Sequence, residues 1–277
     1  MKNVSKLIIP KVAALCRSLS HSAAVQRFLF NAVRLNRQEM RPFILDDSIR
    51  FMSYCLARRD KSRSQILQDL WVCFELGEKK SGFFVEFGAT DGIKNSNTFY
   101  LEKSLGWTGI LAEPNPMWHA ELTRNREASI EIKCVSSRSG DKVSFITTND
   151  TDPELSGIDT FSNANHVADM RRSGQRIDLE TISLDDLLDK YQAPATIDYL
   201  SIDTEGSELD IISSYSFGRR FRTISIENNP QNEKEIDRLL AAQGYVRVFS
   251  QFSQWDSWYV AAELRQGKTL NVVAPEG

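Results

Sequence analysis

Five side chains that could move a proton or hold a cation fall in two short groups late in the chain. Asp203, Glu205 and Glu208 follow the apolar run Tyr199–Ile202, and Glu227 and Asn228 follow the run Thr223–Ile226. Carboxylates and amides are hard oxygen donors, and a carboxylate beside a bound hydroxyl is a general base worth about 10²–10⁴-fold in rate. Two arrangements follow. In one, Asp203, Glu227 and Asn228 hold a divalent cation such as Mg2+, which lowers the pKa of an acceptor hydroxyl, and Glu205 takes its proton. In the other there is no metal, and Glu205 or a histidine of a covering loop acts alone. His119 and His166 are the histidines within reach of these groups in sequence, and for both a structural or surface role is the plainer reading.

Upstream, the run Phe83–Phe87 leads into Val85-Glu86-Phe87-Gly88-Ala89-Thr90-Asp91-Gly92, a glycine-bearing turn of the kind that lets backbone approach a ligand beyond a strand's carboxyl end. A dinucleotide fingerprint needs G-x-G-x-x-G, but counting from Gly88 the second and third positions are Thr90 and Ile93. Without the middle glycine the main chain is not shaped to meet a pyrophosphate, which favours a nucleoside cofactor lacking phosphates. S-adenosylmethionine is such a molecule. Alone, the turn is equally consistent with a tight strand-to-helix connection. The next run, Gly109–Ala112, ends on Glu113, ahead of Pro114-Asn115-Pro116. An acid there, about twenty residues past the glycine turn, suits two ribose hydroxyls with its two oxygens. The alternative is a charge at a helix N-terminus.

These residues need a scaffold that brings strand ends together. Short apolar runs at Phe83–Phe87, Gly109–Ala112, Ile130–Val135, Tyr199–Ile202 and Thr223–Ile226, several separated by helical patterns, predict βαβ units and a parallel sheet. Tyr245–Phe249 and Ser257–Ala261 are too close for a crossover helix and predict an antiparallel hairpin. Helical spacing from Ser48 to Leu76 places Ile66, Leu70, Cys73 and Phe74 on one face. The polar stretch from Thr147 to Ile177 interrupts the alternation and is expected to be a lid.

At 277 residues the chain has room for one large α/β domain and an appendage. Its net charge of −3 creates no global field for nucleic acid, which is not expected as a partner. Cys16, Cys55, Cys73 and Cys134 form no CxxC pair and suit a reducing compartment. No apolar run is long enough to span a bilayer. In the first forty-one residues Lys2, Lys6, Lys11, Arg17, Arg27, Arg34, Arg37 and Arg41 face only Glu39. This segment fits a cationic helical cap, an organelle transit segment, or a basic helix lying on an anionic membrane. A cytoplasmic, optionally membrane-peripheral, protein is the expectation.

Over residues 62–263 the chain resembles the FkbM family of S-adenosylmethionine-dependent methyltransferases. The matching blocks, in order, are Ser64-Gln65 with Gln68-Asp69, FFVEFGATDG with Ser96-Asn97-Thr98 and Leu101-Glu102, AEPNP at Ala112–Pro116, Ile182–Leu187, and Ile197–Leu209. The resemblance implies a class I methyltransferase fold, Rossmann-like, with a mostly parallel seven-stranded sheet and a C-terminal antiparallel hairpin. Residues 1–61 would then form a basic helical segment and 264–277 a tail. It also implies cofactor binding by Glu86, Gly88, Ala89, Asp91, Gly92, Glu113 and Asp203, with adenine near Cys134, Val135 and Ser136. Glu86 would lie under the methionine end, with Ser64–Asp69 closing over it. The acids after the fourth and fifth runs are also similar to those of metal-dependent catechol and sugar O-methyltransferases, although the catechol enzymes have Asp where Glu227 stands.

The implied reaction is O-methylation of a sugar or other small-molecule hydroxyl, in a glycan, glycolipid or secondary metabolite. Two alternatives stay open: a methyltransferase-like module that has lost catalysis, and an N-methyltransferase. Asn229-Pro230-Gln231 lacks the aromatic residue that would stack on a flipped base and is taken as a turn. Arg171, Arg172 and Arg176 would clamp an anionic acceptor or form a solvated basic loop.

Overall fold

The computed structural model describes residues 22–36, 47–148, 156–159, 174–228 and 231–265. They fall into two compact units divided between Ser53 and Tyr54. The first contains helix α1 (Ala23–Asn36), on which Phe28 and Phe30 are exposed. Helix α2 (Asp47–Arg58) runs across the division, so the expected start of the domain at Ser62 lies inside the larger unit. Among the described residues no helix is long and apolar enough to cross a membrane.

The larger unit is built on a seven-stranded sheet. Its strands are β1 (Phe83–Phe87), β2 (Thr108–Ala112), β3 (Ser129–Glu131), β8 (Thr196–Ile202), β9 (Arg220–Glu227), β10 (Tyr245–Val248) and β11 (Asp256–Ala261), in the order β10-β11-β9-β8-β1-β2-β3. Strands β3, β2, β1, β8 and β9 are parallel, and β11 inserts antiparallel between β9 and β10. This is the class I methyltransferase arrangement, including the expected hairpin. The chain leaves β1 toward β2 and β3, then returns to β8 on the other side of β1. The carboxyl ends of β1 and β8 therefore flank the crevice where the strand order reverses, the place at which open α/β sheets bind ligands.

Central strands are buried on both faces and so read as nearly unbroken apolar runs. One face packs Val85, Phe87, Leu200, Ile202, Ile224 and Ile226 against helices α6 (Leu184–Lys190), α7 (Glu208–Ser214) and α8 (Glu233–Ala242). On the other, Trp71 of α3 (Gln68–Glu75) stacks on Trp258 with centroids 5.0 Å apart and meets Tyr199 edge-on. Helices α4 (Phe99–Leu105) and α5 (His119–Asn125) follow β1 and β2.

Three local expectations are corrected. Helical spacing does not run through to Leu76, because the backbone turns left-handed at Leu67 (φ +68) before α3 begins. Asp69 accepts from Ser62 Oγ and Arg63 N and donates its own N–H to Ser64 Oγ, and these side-chain bonds displace helix at 62–67. Ile130–Val135 is not one strand: β3 pairs with β2, whereas β4 (Cys134–Ser136) belongs to a second sheet of order β4-β7-β5-β6. That sheet includes β5 (Lys142–Thr147), β6 (Gly157–Ile158) and β7 (Gln175–Ser183), so parts of the expected lid at 147–177 are strand. The rest of that lid, His166, Arg171 and Arg172 included, lies outside the described residues, as do Asn229 and Pro230. Arg176 pairs with Asp159 at 3.1 Å.

Candidate functional site

The turn after β1 owes its shape to two glycines. Gly88 has φ +76, and a Cβ there would lie 2.3 Å from the main-chain oxygen of Asp203, so β1 and β8 touch where their ends flank the crevice. Gly92 has φ +78, and a Cβ would meet Arg126 Cγ at 2.6 Å and Leu122 Cδ1 at 2.7 Å. Between them Ala89 is buried, and Asp91 accepts Ile93 N and Lys94 N, both at 2.8 Å, which closes the turn.

Arg126, fully buried, locks this loop. Its guanidinium donates to the Gly92 carbonyl (3.1 Å), Ser96 Oγ (3.0 Å), Thr98 Oγ1 (2.8 Å) and Glu102 (3.0 Å), and lies 3.8 Å from Glu86. Glu86 in turn accepts Asn97 N (2.6 Å), Ser96 Oγ (3.0 Å) and Thr98 Oγ1. Burial raises the Glu86 pKa against the pull of Arg126 and these donors. Its carboxylate is thus taken up in holding the Ser96–Thr98 segment, whose Asn97 borders the cleft. The Asn97 amide donates to Ser201 Oγ at 2.9 Å, while its Oδ1 is buried without a protein partner.

Glu113, at the end of β2, accepts Thr90 N and Asn115 N at 2.8 Å, one on each oxygen. Burial pushes its pKa up to about 7, opposed by those two backbone bonds. Phe87, Pro114, Trp118, Cys134, Val135, Phe145 and Ile158 wall this half of the cleft, with Glu113, Gly88 and Asp203 at its floor. Burial pushes the Cys134 thiol up to about 12, leaving it an unreactive apolar wall. Ser136 is at the end of β4 but not among the lining residues. His119 opens α5 and its Nε2 lies 2.8 Å from the Glu113 carbonyl, a structural contact.

Phe87, Gly88, Thr90, Trp118, Asp203 and Glu205 also border a second, wider half of the cleft. There Asp203, Glu205 and Glu227 converge, with one oxygen of each within 4.8 Å of the others. Glu205 reaches this position from a left-handed backbone (φ +61). Glu208 does not join them: its carboxylate turns inward to accept Thr204 N, Thr204 Oγ1 and Gly206 N at 2.8–3.1 Å, and so builds the loop that presents Glu205. Asn228 does not join them either. Its Oδ1 accepts Ser257 Oγ at 2.7 Å and it borders a different pocket.

The Asp203 carboxylate opens onto the cleft and is accessible there, yet protein surrounds it closely enough that burial is the first cause raising its pKa. The charges of Glu205, Asp256 and Glu208 add to this. Glu227 is raised by burial and then by Asp203, Glu205, Glu208 and Asp256. Asp256, which accepts Gln68 Nε2 at 2.9 Å, is pushed up to about 6 by burial. So many carboxylates in one enclosed space hold a proton or demand a cation.

The model of the Methyltransferase FkbM domain matches residues 86–247, more than half of the chain. The chain belongs to the FkbM methyltransferase family. Such a methyltransferase uses S-adenosylmethionine. No curated protein matches in sequence. Among solved structures, a methyltransferase FkbM from Methylobacillus flagellatus KT is similar at 11% identity, with 77% of this chain and 60% of that one covered and a TM-score of 0.39. A precorrin-6y C5,15-methyltransferase from Geobacter metallireducens GS-15 aligns at 12% identity over 69% of this chain and 84% of its own, TM-score 0.37. The N-terminal domain of human METTL16 aligns at 14% identity over 69% and 66%, TM-score 0.34. Likenesses this distant carry no argument.

The residues present suit the family's cofactor. After accepting one backbone N–H apiece, both Glu113 oxygens retain a lone pair for the ribose hydroxyls. Glu86, expected under the methionine end, borders the wider half of the cleft together with Asn97. Arg126 and Asn97 were both missed as functional residues. Asn97 lies inside a recognised block, but Arg126, within the polar run Thr123-Arg124-Asn125-Arg126-Glu127, resembles any surface charge.

Proposed function

We propose that this methyltransferase transfers the methyl group to a hydroxyl oxygen of a sugar or other small molecule. The observation that carries the proposal is the convergence of Asp203, Glu205 and Glu227 in the half of the cleft adjoining the cofactor half. An alcohol stays protonated at neutral pH and gains from a base, whereas a neutral amine does not need three acids. When bound, S-adenosylmethionine supplies an electrophilic methyl group on a sulfonium. Gly88, Thr90 and Glu113 would hold it, with Gly92 shaping the turn, and Glu205 would accept the proton that the hydroxyl gives up. Placing the acceptor in line contributes the larger share, as much as ~7–11 kcal/mol in favourable cases.

A divalent cation such as Mg2+ would find hard oxygen donors in Asp203 and Glu227, with Glu205 left beside them as the base, and would offset the repulsion among the three. Asn228, whose Oδ1 accepts from Ser257, stands outside that set. The basic N-terminal segment would bring the enzyme to an anionic membrane carrying its acceptor.

The test is calorimetric titration with S-adenosylhomocysteine, with and without Mg2+, followed by transfer of labelled methyl groups to free sugars, glycans and amines. Saturable binding and label on a hydroxyl support the proposal. Label on nitrogen alone overturns O-methylation, and a folded protein that binds no S-adenosylhomocysteine overturns the enzyme reading.

A further inference from the structure

Trp255 differs from the aromatic residues of the core. It is 48% exposed, on the loop between β10 and β11, and it borders two depressions at once. On one side is the acid half of the cleft, with Glu227, Asp256 and Gln65. On the other is a polar pocket lined by Asn228, Glu233, Arg247, Ser250 and Gln254.

The loop that carries it has a fixed shape. Phe249 and Gln254 hold φ of +53 and +50, a region that non-glycine residues seldom adopt. Phe252 N and Ser253 N both donate to the Phe249 carbonyl, at 2.8 and 3.1 Å, and Asp256 N donates to the Ser253 carbonyl at 2.7 Å. Asn228 N donates to the Trp255 carbonyl at 2.6 Å, which ties the loop to the end of β9. The backbone that carries Trp255 is therefore held in a defined place although the residue itself is about half exposed.

The outer pocket contains two amides, a hydroxyl, and one cation matched by one anion. Arg247 is paired with Glu233 and donates to Asp237 at 3.1 Å, so its charge is met within the protein. Planar groups of this kind, each able to bond two neighbouring hydroxyls, beside an exposed aromatic face are what a pyranose ring requires. Its C–H face covers the indole while its hydroxyls bridge amides and paired charges. A free phosphate or acid is disfavoured, since Glu227, Asp256 and Glu233 flank the path.

We infer that the acceptor is a saccharide of at least two residues: the sugar to be methylated occupies the acid half of the cleft, and its neighbour stacks on Trp255 and fills the pocket of Asn228, Glu233, Arg247, Ser250 and Gln254. The inference rests on the O-methyltransferase reading of the cleft. On this account Asn228 serves the acceptor chain rather than a metal.

The experiment uses the full chain saturated with S-adenosylhomocysteine and a printed array of defined mono-, di- and trisaccharides, with wild type, Trp255→Ala and Trp255→Phe compared. The expected result is retention on glycans of two or more residues, weak retention on the matching monosaccharides, an approximately tenfold loss in Trp255→Ala, and partial recovery in Trp255→Phe. Equal retention of mono- and oligosaccharides, or an unaffected Ala variant, overturns the outer subsite. No retention of any sugar by protein that binds S-adenosylhomocysteine overturns the saccharide acceptor while leaving the methyltransferase intact. Failure to bind S-adenosylhomocysteine counts instead against the enzyme reading.

Discussion

The two halves of the cleft share a wall at Gly88, Thr90, Asp203 and Glu205 but are built on opposite principles. In the cofactor half the acid not shared with the other half, Glu113, has a backbone donor on each oxygen and lies among apolar side chains. In the acceptor half Asp203, Glu205 and Glu227 crowd together, with Asp256 beside them. One half is made ready by backbone donors on its own acid, the other by crowding carboxylates together. A constant ligand is served by the first arrangement, whereas a group that must take a proton is served by the second.

The largest test of this contrast is Glu205→Gln. Losing the base should lower the rate of methyl transfer by about 10²–10⁴-fold, with S-adenosylhomocysteine affinity little changed in a parallel titration. If affinity falls as steeply as rate, Glu205 belongs to the cofactor half. Glu113→Ala should do the reverse, weakening S-adenosylhomocysteine by about 10²-fold through loss of two hydrogen bonds to a charged group, each worth about 1.5–3 kcal/mol at most.

The same residue sets a pH dependence. Hydroxyl donors favour ionised Glu113, and burial holds its pKa at about 7. Calorimetry of the wild type should therefore show affinity level above pH 7 and falling toward tenfold per unit below it, a slope that disappears in Glu113→Ala. The smallest effect expected is on stability. Glu227 has a raised pKa, so folding favours its protonated form: that contribution is present below the ordinary carboxylate pKa and is lost as pH rises through the folded value. Glu227→Gln should raise Tm, more at pH 8 than at pH 5, by about 2–4 °C for each kcal/mol of repulsion removed. Mg2+ should narrow the difference if the cluster binds it. A Tm that drops at both pH values would mean the cluster is not strained.

Much of the sheet was legible because its strands are buried on both faces. Phe83–Phe87 admits one polar residue, Glu86, and Thr196–Ile202 admits Asp198 and Ser201 besides its exposed first residue, Thr196; the three buried ones are all hydrogen-bonded inside. Strands β5 and β7 were not, since their exposed and half-buried positions carry Lys142, Gln175, Arg176, Asp178 and Glu180, which look like loop. The acids after β8 and β9 were visible as a set, but spacing alone does not reveal that Glu208 folds back on Thr204 or that Asn228 turns to Ser257. Those outcomes depend on partners far away in sequence or on a single left-handed residue, Glu205. Arg126 illustrates the same limit, because its importance comes from five contacts gathered by tertiary folding.

Gly88 sets a length scale for the whole enzyme. Where a methyl group would stand, the Asp203 carbonyl already lies, 2.3 Å from the site of a Cβ. The cofactor turn and the loop bearing the acids are thus held with their backbones in direct contact. Inserting a single carbon there would act as a wedge between the two loops. The reach of the reaction is fixed by an atom that is missing.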